Sequence, residues 1–241
     1  MVNNSDINNE KQKLDYIAKN NLYFKGVGAI SAKYCFNIIT RFFKGGTCLE
    51  LGPADGFMTQ YLIQYFNSVS CVEGSKILCE NLMKNFKDII VINSLFEEFE
   101  TEKKFDAIIL GHVLEHVEDP VLILKKAKNW LTHEGKIFVA VPNARSIHRQ
   151  AAVIMGLLKN ECELNETDHS IGHRRVYTPE SLRGEFIEAG LKIEHYGGYW
   201  LKPLSNTQID SCFTDSMIDA FMVLGERYPD IAAEIYVVAR G

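Results

Sequence analysis

Leu49-Glu50-Leu51-Gly52-Pro53-Ala54-Asp55-Gly56 is the stretch from which the rest of the chain can be read. Ahead of it, Thr47–Leu51 is a short apolar run of strand character. Behind it, residues 57–66 carry Met58, Tyr61, Leu62 and Tyr65 at helical spacing. The eight residues therefore join a strand to a helix. Gly52, Ala54 and Gly56 are small enough to let the backbone approach a bound ligand closely. No Gly-Lys-Ser/Thr follows, which excludes a phosphate loop, and the G-x-G-x-x-G of a dinucleotide site is absent.

Outward from the loop, strand and helix alternate. Strands are expected at 69–72, 88–92, 105–110 and 136–141. A helix capped by Ser75 is expected after the first of these, and another begins with Pro120 at the favoured early position. β-branched runs that are apolar on both faces suit a buried parallel sheet. A helix over 179–189 stopped by Gly190, a strand at 191–200 and a final strand at 233–239 complete the pattern. The expected fold is α/β: a doubly wound, seven-stranded, mostly parallel sheet with an antiparallel last strand at the edge. Residues 1–44 are expected to form an N-terminal helical lid segment. Within 10–43 two helices are expected, Ile30, Tyr34, Ile38 and Phe42 sharing a face, while the first ten residues fray. Residues 45–241 form the main domain, with acceptor-side insertions at 143–178 and 201–230, the second containing a helix near 211–224. Ligands of such sheets bind where the parallel strands end.

Composition sets outer bounds. The 241 residues are 46% hydrophobic and 24% charged, the balance of one ordinary globular domain. A net charge of −5 without a basic run argues against a nucleic-acid partner. No apolar run has the length of a membrane helix, and the Asn-rich start does not resemble a secretory signal. The six cysteines have neither C-x-x-C nor zinc spacing, so a reducing, cytoplasmic location is expected. Oligomeric state is not legible.

The charge of the loop points to its ligand. Glu50 at the strand end and Asp55 within the loop repel a pyrophosphate but suit a cationic sulfonium ligand carrying an ammonium group. Glu73 ends the second strand, where this topology allows an acid to accept hydrogen bonds from both hydroxyls of a ribose.

Residues 47–142 resemble the core of the class I, Rossmann-like S-adenosylmethionine-dependent methyltransferases. The resemblance is carried by the ELGPADG loop, by VEGS at 72–75, and most specifically by Gly111-His112-Val113-Leu114-Glu115-His116-Val117-Glu118-Asp119-Pro120. It implies S-adenosylmethionine as cofactor. Glu50, Gly52 and Gly56 would cradle the methionine part, Glu73 the ribose, and Ser94, Leu95 and Phe96 the adenine. Ala54, Gly74, His112, Val113 and Leu114 complete the implied wall. Ala54 replaces the family's commoner middle glycine, and Ser94 stands where an Asp often meets the adenine amino group.

Transfer of a methyl group to oxygen or nitrogen is an in-line displacement that needs an aligned nucleophile and, for a hydroxyl, a proton acceptor. Histidine suits that role at neutral pH. His112, Glu115 and His116 fall where the fourth strand ends, and His169 and His173 lie in a later His- and Arg-rich segment. Three readings stay open. His116 or His173 is a general base; Glu115 and His116 with His169 or His173 hold a divalent metal, as the resemblance to small-RNA terminal methyltransferases implies in part; or these side chains only position loops. Arg174 and Arg175 could hold a phosphate or carboxylate of the acceptor. His148, Tyr177, Tyr199 and Lys202 are further candidate acceptor contacts. Residues 172–191 resemble a segment of methyltransferases acting on sugars and other small acceptors. The expected acceptor is therefore a small polar, anionic molecule such as a nucleotide-linked sugar or surface-glycan precursor. Rival readings are a quinone-type or RNA-end O-methyltransferase, a non-catalytic cofactor-binding scaffold, and a nicotinamide-dependent oxidoreductase.

Overall fold

In the computed structural model the backbone is described for residues 4–20 and 26–241, and side chains for 9–19 and 26–241. β1 (Thr47–Leu51) is the middle of the molecule. It pairs in parallel with β2 (Ser68–Glu73) on one side and β4 (Phe105–Gly111) on the other. β3 (Ile89–Asn93) extends the sheet beyond β2, and β5 (Leu131–Pro142) extends it beyond β4. β7 (Glu234–Arg240) runs antiparallel between β5 and β6 (Lys192–Tyr199), giving the order β3-β2-β1-β4-β5-β7-β6. The sheet reverses direction of growth at β1 and β4, which opens a crevice at the carboxyl ends of those strands.

The helices cover both faces. α2 (Val27–Ile39), α3 (Thr59–Tyr65), α9 (Asn206–Cys212) and α10 (Asp215–Arg227) bury Ile38, Leu62, Ile209 and Met222 against Cys48, Ile109 and Val238. On the other face, α5 (Pro120–Asn129) and α8 (Pro179–Glu188) bury Leu124 and Phe186 against Leu110, Val139 and Val237. Burying such a side chain contributes roughly 1.5–3 kcal/mol. Local signals place the helix starts. Ser75 caps α4 (Lys76–Asn85), Asp119 caps α5 ahead of Pro120, and Thr178 caps α8 through a capping box.

Several expectations are corrected. The antiparallel strand is not an edge: β7 is interior and buried from Ile235 to Ala239, and β6 closes the sheet. A strand apolar on both faces needs a neighbour on each side, whereas β6 exposes Lys192, Glu194 and His195. The insertion at 143–178, for which no helix was expected, contains α6 (Ile147–Ile154) and α7 (Glu166–Ser170). The second insertion holds two helices because the Thr214 hydroxyl caps Met217 and starts α10 anew. α1 (Asn4–Asn20) begins within the stretch expected to fray, while residues 1–3 and 21–25 lie outside the described structure. Among the described residues no helix is long and apolar enough to cross a membrane.

Candidate functional site

The loop after β1 forms one end of a cavity of about 1440 Å³ at the carboxyl ends of the parallel strands. Pockets for a single small ligand span roughly 300–1,000 Å³, so this one has room for two. Gly52 (φ +68°) turns the chain, and a Cβ there would stand 2.9 Å from Val113 Cγ2. Ala54 adopts φ +50°, a left-handed conformation that costs a residue with a Cβ about 1 kcal/mol. Gly56, implied to cradle the ligand, is outside the cavity wall: a Cβ there would lie 2.4 Å from the Phe86 ring, so its role is packing. Asp55 is exposed and caps the Phe57 N–H, so it adds no charge to the wall.

Glu50 and Glu73 both line the cavity and are nearly fully buried. Thr59 Oγ1 donates to Glu50 Oε2 at 2.7 Å, and the Ser75 N–H donates to Glu73 Oε1 at 2.8 Å. Burial pushes each carboxyl up to about 7, against the hydrogen bonds it accepts. Two desolvated carboxyl groups held this way suit a cation and hydroxyl donors as partners. Gly74, Leu95, Phe96, His112 and Val113 share this wall. Ser94 and Leu114 do not: Ser94 Oγ donates to the Leu95 carbonyl, and Leu114 is fully buried behind the wall.

α1 covers the same end. Its Glu10, Lys13, Leu14 and Ile17 line the cavity. Leu14 lies so close over Gly74 that a Cβ there would be 2.5 Å from Leu14 Cδ1. The Ser75 hydroxyl donates to Asp15 Oδ1 at 2.6 Å, and Arg174 Nη2 reaches Glu10 Oε2 at 3.0 Å.

The segment after β4 supplies the imidazoles. His112 (φ +59°) places Nδ1 3.2 Å from Glu115 Oε1 and Nε2 3.7 Å from Glu234 Oε2. Burial alone would depress this imidazole, but the Glu234 and Glu115 carboxylates outweigh it and hold His112 at about 9. His116 and His173 pack edge to face with ring centres 4.7 Å apart. Burial drives His116 down to about 4, leaving it neutral. His173 Nδ1 faces Asp168 Oδ1 at 3.2 Å. Burial would raise the Asp168 carboxyl, but His173, the Asn165 N–H and Arg149 hold it down at about 2.

Glu115 sits behind this wall, wholly buried, among His112, His116 and His173. Both of its oxygens lack an aligned hydrogen-bond donor among the described residues. Glu115, His116 and His173 offer ligand atoms within 4.8 Å of one another, a carboxylate-and-imidazole set that fits a divalent transition metal. His169 is exposed and belongs neither to this group nor to the cavity wall.

The expected acceptor contacts divide. The Arg175 guanidinium donates to the carbonyls of Leu114, Val117 and Glu118, and Arg174 Nε donates to the His116 carbonyl. These arginines tie down the segment 114–118, and Arg174 alone also touches the cavity. Tyr177 is buried with its hydroxyl on the Leu114 carbonyl, and Tyr199 is buried against Tyr34; neither reaches the cavity. His148 and Lys202 do line it.

Glu234 and Asp168 are cavity residues that motif reasoning passed over. For Glu234 a signal existed. In an antiparallel strand the first residue, not the last, lies at the carboxyl ends of its parallel neighbours, and Glu234 opens β7 opposite Pro142.

Comparisons with known proteins identify the fold and the family. N-methyltransferase 4 of Papaver somniferum is 29% identical over 106 residues, 40% of this chain and 30% of that protein. Ubiquinone biosynthesis O-methyltransferase of Parvibaculum lavamentivorans is 29% identical over 126 residues, 52% of this chain and 47% of that protein. The chain thus spans less than half the length of these curated relatives. An S-adenosylmethionine-dependent methyltransferase from Mesorhizobium loti shares the fold, with TM-score 0.64, 17% identity, and coverage of 87% of this chain and 98% of that one. So does N-methyltransferase NodS from Bradyrhizobium japonicum, solved with S-adenosylhomocysteine, at TM-score 0.63, 14% identity, and coverage of 97% and 98%. A family model described as a methyltransferase domain matches residues 29–196, most of the chain. This chain therefore belongs to that methyltransferase domain family.

Proposed function

We propose that the protein transfers a methyl group from S-adenosylmethionine to a hydroxyl or amine of a small polar acceptor carrying an anionic group. One observation carries the reading: two buried carboxylates, Glu50 and Glu73, and three imidazoles, His112, His116 and His173, face one cavity large enough for both molecules. S-adenosylmethionine supplies a methyl group on a positively charged sulfur, with an ammonium group and a ribose as handles. Glu50 meets the cationic amino-acid end and Glu73 the ribose hydroxyls. Leu95 and Phe96 give the adenine an apolar slot, and α1 acts as a lid that excludes water. NodS and the poppy enzyme are named for transfer to nitrogen, the Parvibaculum enzyme for transfer to oxygen.

The acceptor lone pair attacks the methyl carbon as the carbon–sulfur bond breaks, and the acceptor's proton passes to His116 or His173. His116 is neutral at physiological pH and so able to accept it. Because Arg175 is engaged by backbone carbonyls, and Arg174 by the His116 carbonyl and the Glu10 carboxylate, a diphosphate-linked sugar loses the clamp expected for it. A smaller acceptor with a single charge fits the wall better. Calorimetry with S-adenosylhomocysteine tests the cofactor assignment: binding of a nicotinamide dinucleotide in its place refutes it. Radiolabelled methyl transfer across small amines, phenols and sugar acids tests the acceptor class.

A second reading rests on the convergence of Glu115, His116 and His173. Here the three would hold a divalent cation, which would supply Lewis-acid activation of an acceptor hydroxyl. It predicts that EDTA abolishes turnover and that magnesium, manganese or zinc restores it.

A further inference from the structure

We propose that Lys202 and His148 form the anion-recognition corner of the acceptor site, and that the group they take is a carboxylate. The inference rests on the reading of the cavity as a methyltransferase site.

Lys202 lies in the cavity wall, its Nζ 4.9 Å from the centre of the Trp200 ring. The ring attracts the ammonium but satisfies none of its three N–H donors. Among the described residues no carboxylate, carbonyl or hydroxyl accepts from Nζ. The neighbouring cation is different. Arg149 donates to Asp168 Oδ2 and to the carbonyls of Glu161 and Glu163, so each of its three nitrogens is engaged. Of the two acids whose charge acts on Lys202, Glu234 is shared with His112 at 3.7 Å and Asp168 with Arg149 at 3.1 Å. Lys202 is thus a cation without a direct partner in a largely desolvated wall, where burial already presses its pKa down.

His148, on the first turn of α6, lines the same cavity and feels the Lys202 charge. Its Nδ1 is buried and has no hydrogen-bond partner among the described residues. Burial, with the Lys202 and Arg149 charges, drives this imidazole down to about 3, so it is neutral and carries one N–H without adding charge. One ammonium and one neutral N–H donor match the two oxygens of a singly charged carboxylate. A phosphoryl group with two charges would leave one uncompensated and would face Glu234 and Asp168 in the same wall.

The corner is rigidly built. Trp200 takes φ +66°, its N–H donating to the Met222 carbonyl at 3.1 Å and its carbonyl accepting from Ala233 at 2.7 Å. This fixes the turn that carries Lys202 between α10 and β7. On the other side, Asn143 Nδ2 donates to the carbonyls of Asp230 and Ala232, tying the approach to α6 to the start of β7. Donors held in place before binding lose little freedom when the anion arrives.

The test reads binding, not turnover. Protein saturated with S-adenosylhomocysteine and carrying ¹⁵N-labelled histidine is titrated with sodium acetate at constant ionic strength, in parallel with acetamide and inorganic phosphate. The expected result is a saturable displacement of the His148 resonance by acetate, at roughly millimolar concentration, and none by acetamide. Lys202→Met should weaken the acetate response at least tenfold, and Lys202→Arg should preserve it within about threefold. Acetate should also slow acylation of the Lys202 amine by an N-hydroxysuccinimide ester, read by mass spectrometry against exposed Lys33; this needs no variant. Absence of a saturable acetate response, an equal response in Lys202→Met, or tighter binding of phosphate than of acetate overturns the proposal. Failure of S-adenosylhomocysteine to bind at all would remove the reading of the cavity as well. Cofactor binding without an acetate response removes only the corner.

Discussion

Glu115 Oε1 lies 3.2 Å from His112 Nδ1, behind the wall that His112 itself forms. The carboxylate does not face the cavity; it acts on the residues that do. Burial opposes its charge, yet the imidazoles of His112, His116 and His173 hold its carboxyl below the ordinary value. Glu115→Gln keeps the volume and removes the charge. Turnover should fall at least tenfold while the Kd for S-adenosylhomocysteine changes less than threefold. Calorimetry and a steady-state assay check this, and unchanged kcat would show that the three imidazoles need no such anchor.

His116 and His173 compete for the role of base. His116→Ala or His173→Ala should lower kcat by about 10² or more, the usual worth of a general base, with cofactor affinity retained. Full activity in both variants would sink the assignment. Loss of activity that EDTA reproduces in the parent protein would instead favour the metal reading.

Cofactor binding should depend on pH. Glu50 and Glu73 are raised from the ordinary carboxyl value to about 7 by burial, so the folded, ligand-free protein holds extra protons between about pH 4.5 and 7. The stability these two groups contribute is fully present below that window and is lost as pH rises through 7. A cation selects the ionised forms and reverses the balance. The affinity for S-adenosylhomocysteine should therefore weaken as pH falls from 8 to 6, and binding near pH 7 should release protons. Calorimetry in buffers of different ionisation enthalpy measures this. Glu50→Gln should raise Kd at least tenfold and flatten the profile.

Gly225 tests the packing that builds the Lys202 turn. A Cβ there would lie 2.1 Å from Trp200 N and 2.4 Å from Tyr199 C, both backbone atoms that cannot step aside. Alanine in a helix gains about 1 kcal/mol over glycine, but overpacking against backbone costs about 3 kcal/mol or more. The net cost of about 2 kcal/mol or more means that Gly225→Ala should lower Tm by at least roughly 4–8 °C. An unchanged or raised Tm would show that α10 can move off the turn.

The lid can be probed at Gly74. Leu14 Cδ1, at 2.5 Å from an added Cβ, is the far end of a flexible side chain. Gly74→Ala should weaken cofactor binding by displacing α1, and Leu14→Ala in the same protein should restore much of it. Equal Kd values in parent and single variant would separate α1 from cofactor retention.

Much of this molecule is written locally. The alternation of β-branched runs with capped helices, the small residues after β1, and Glu50 and Glu73 at strand ends could be read from neighbouring positions alone, because strand and helix periods and cap chemistry span only a few residues. The same holds for the histidines that follow β4. What lay beyond the sequence depended on partners far along the chain. Arg175 became a tie for the carbonyls of 114–118. Gly56 became a packing position against Phe86. Glu234 entered the site because β7 inserts antiparallel between β5 and β6. Lys202 and His148 came to share one wall, and Leu14 came to lie over Gly74. Residue types and their spacing determined an acid-lined crevice on an α/β sheet. Which polar groups there are satisfied and which still face a ligand was decided by strand order and long-range packing, since a side chain's chemistry is set by whatever the fold brings within hydrogen-bonding distance.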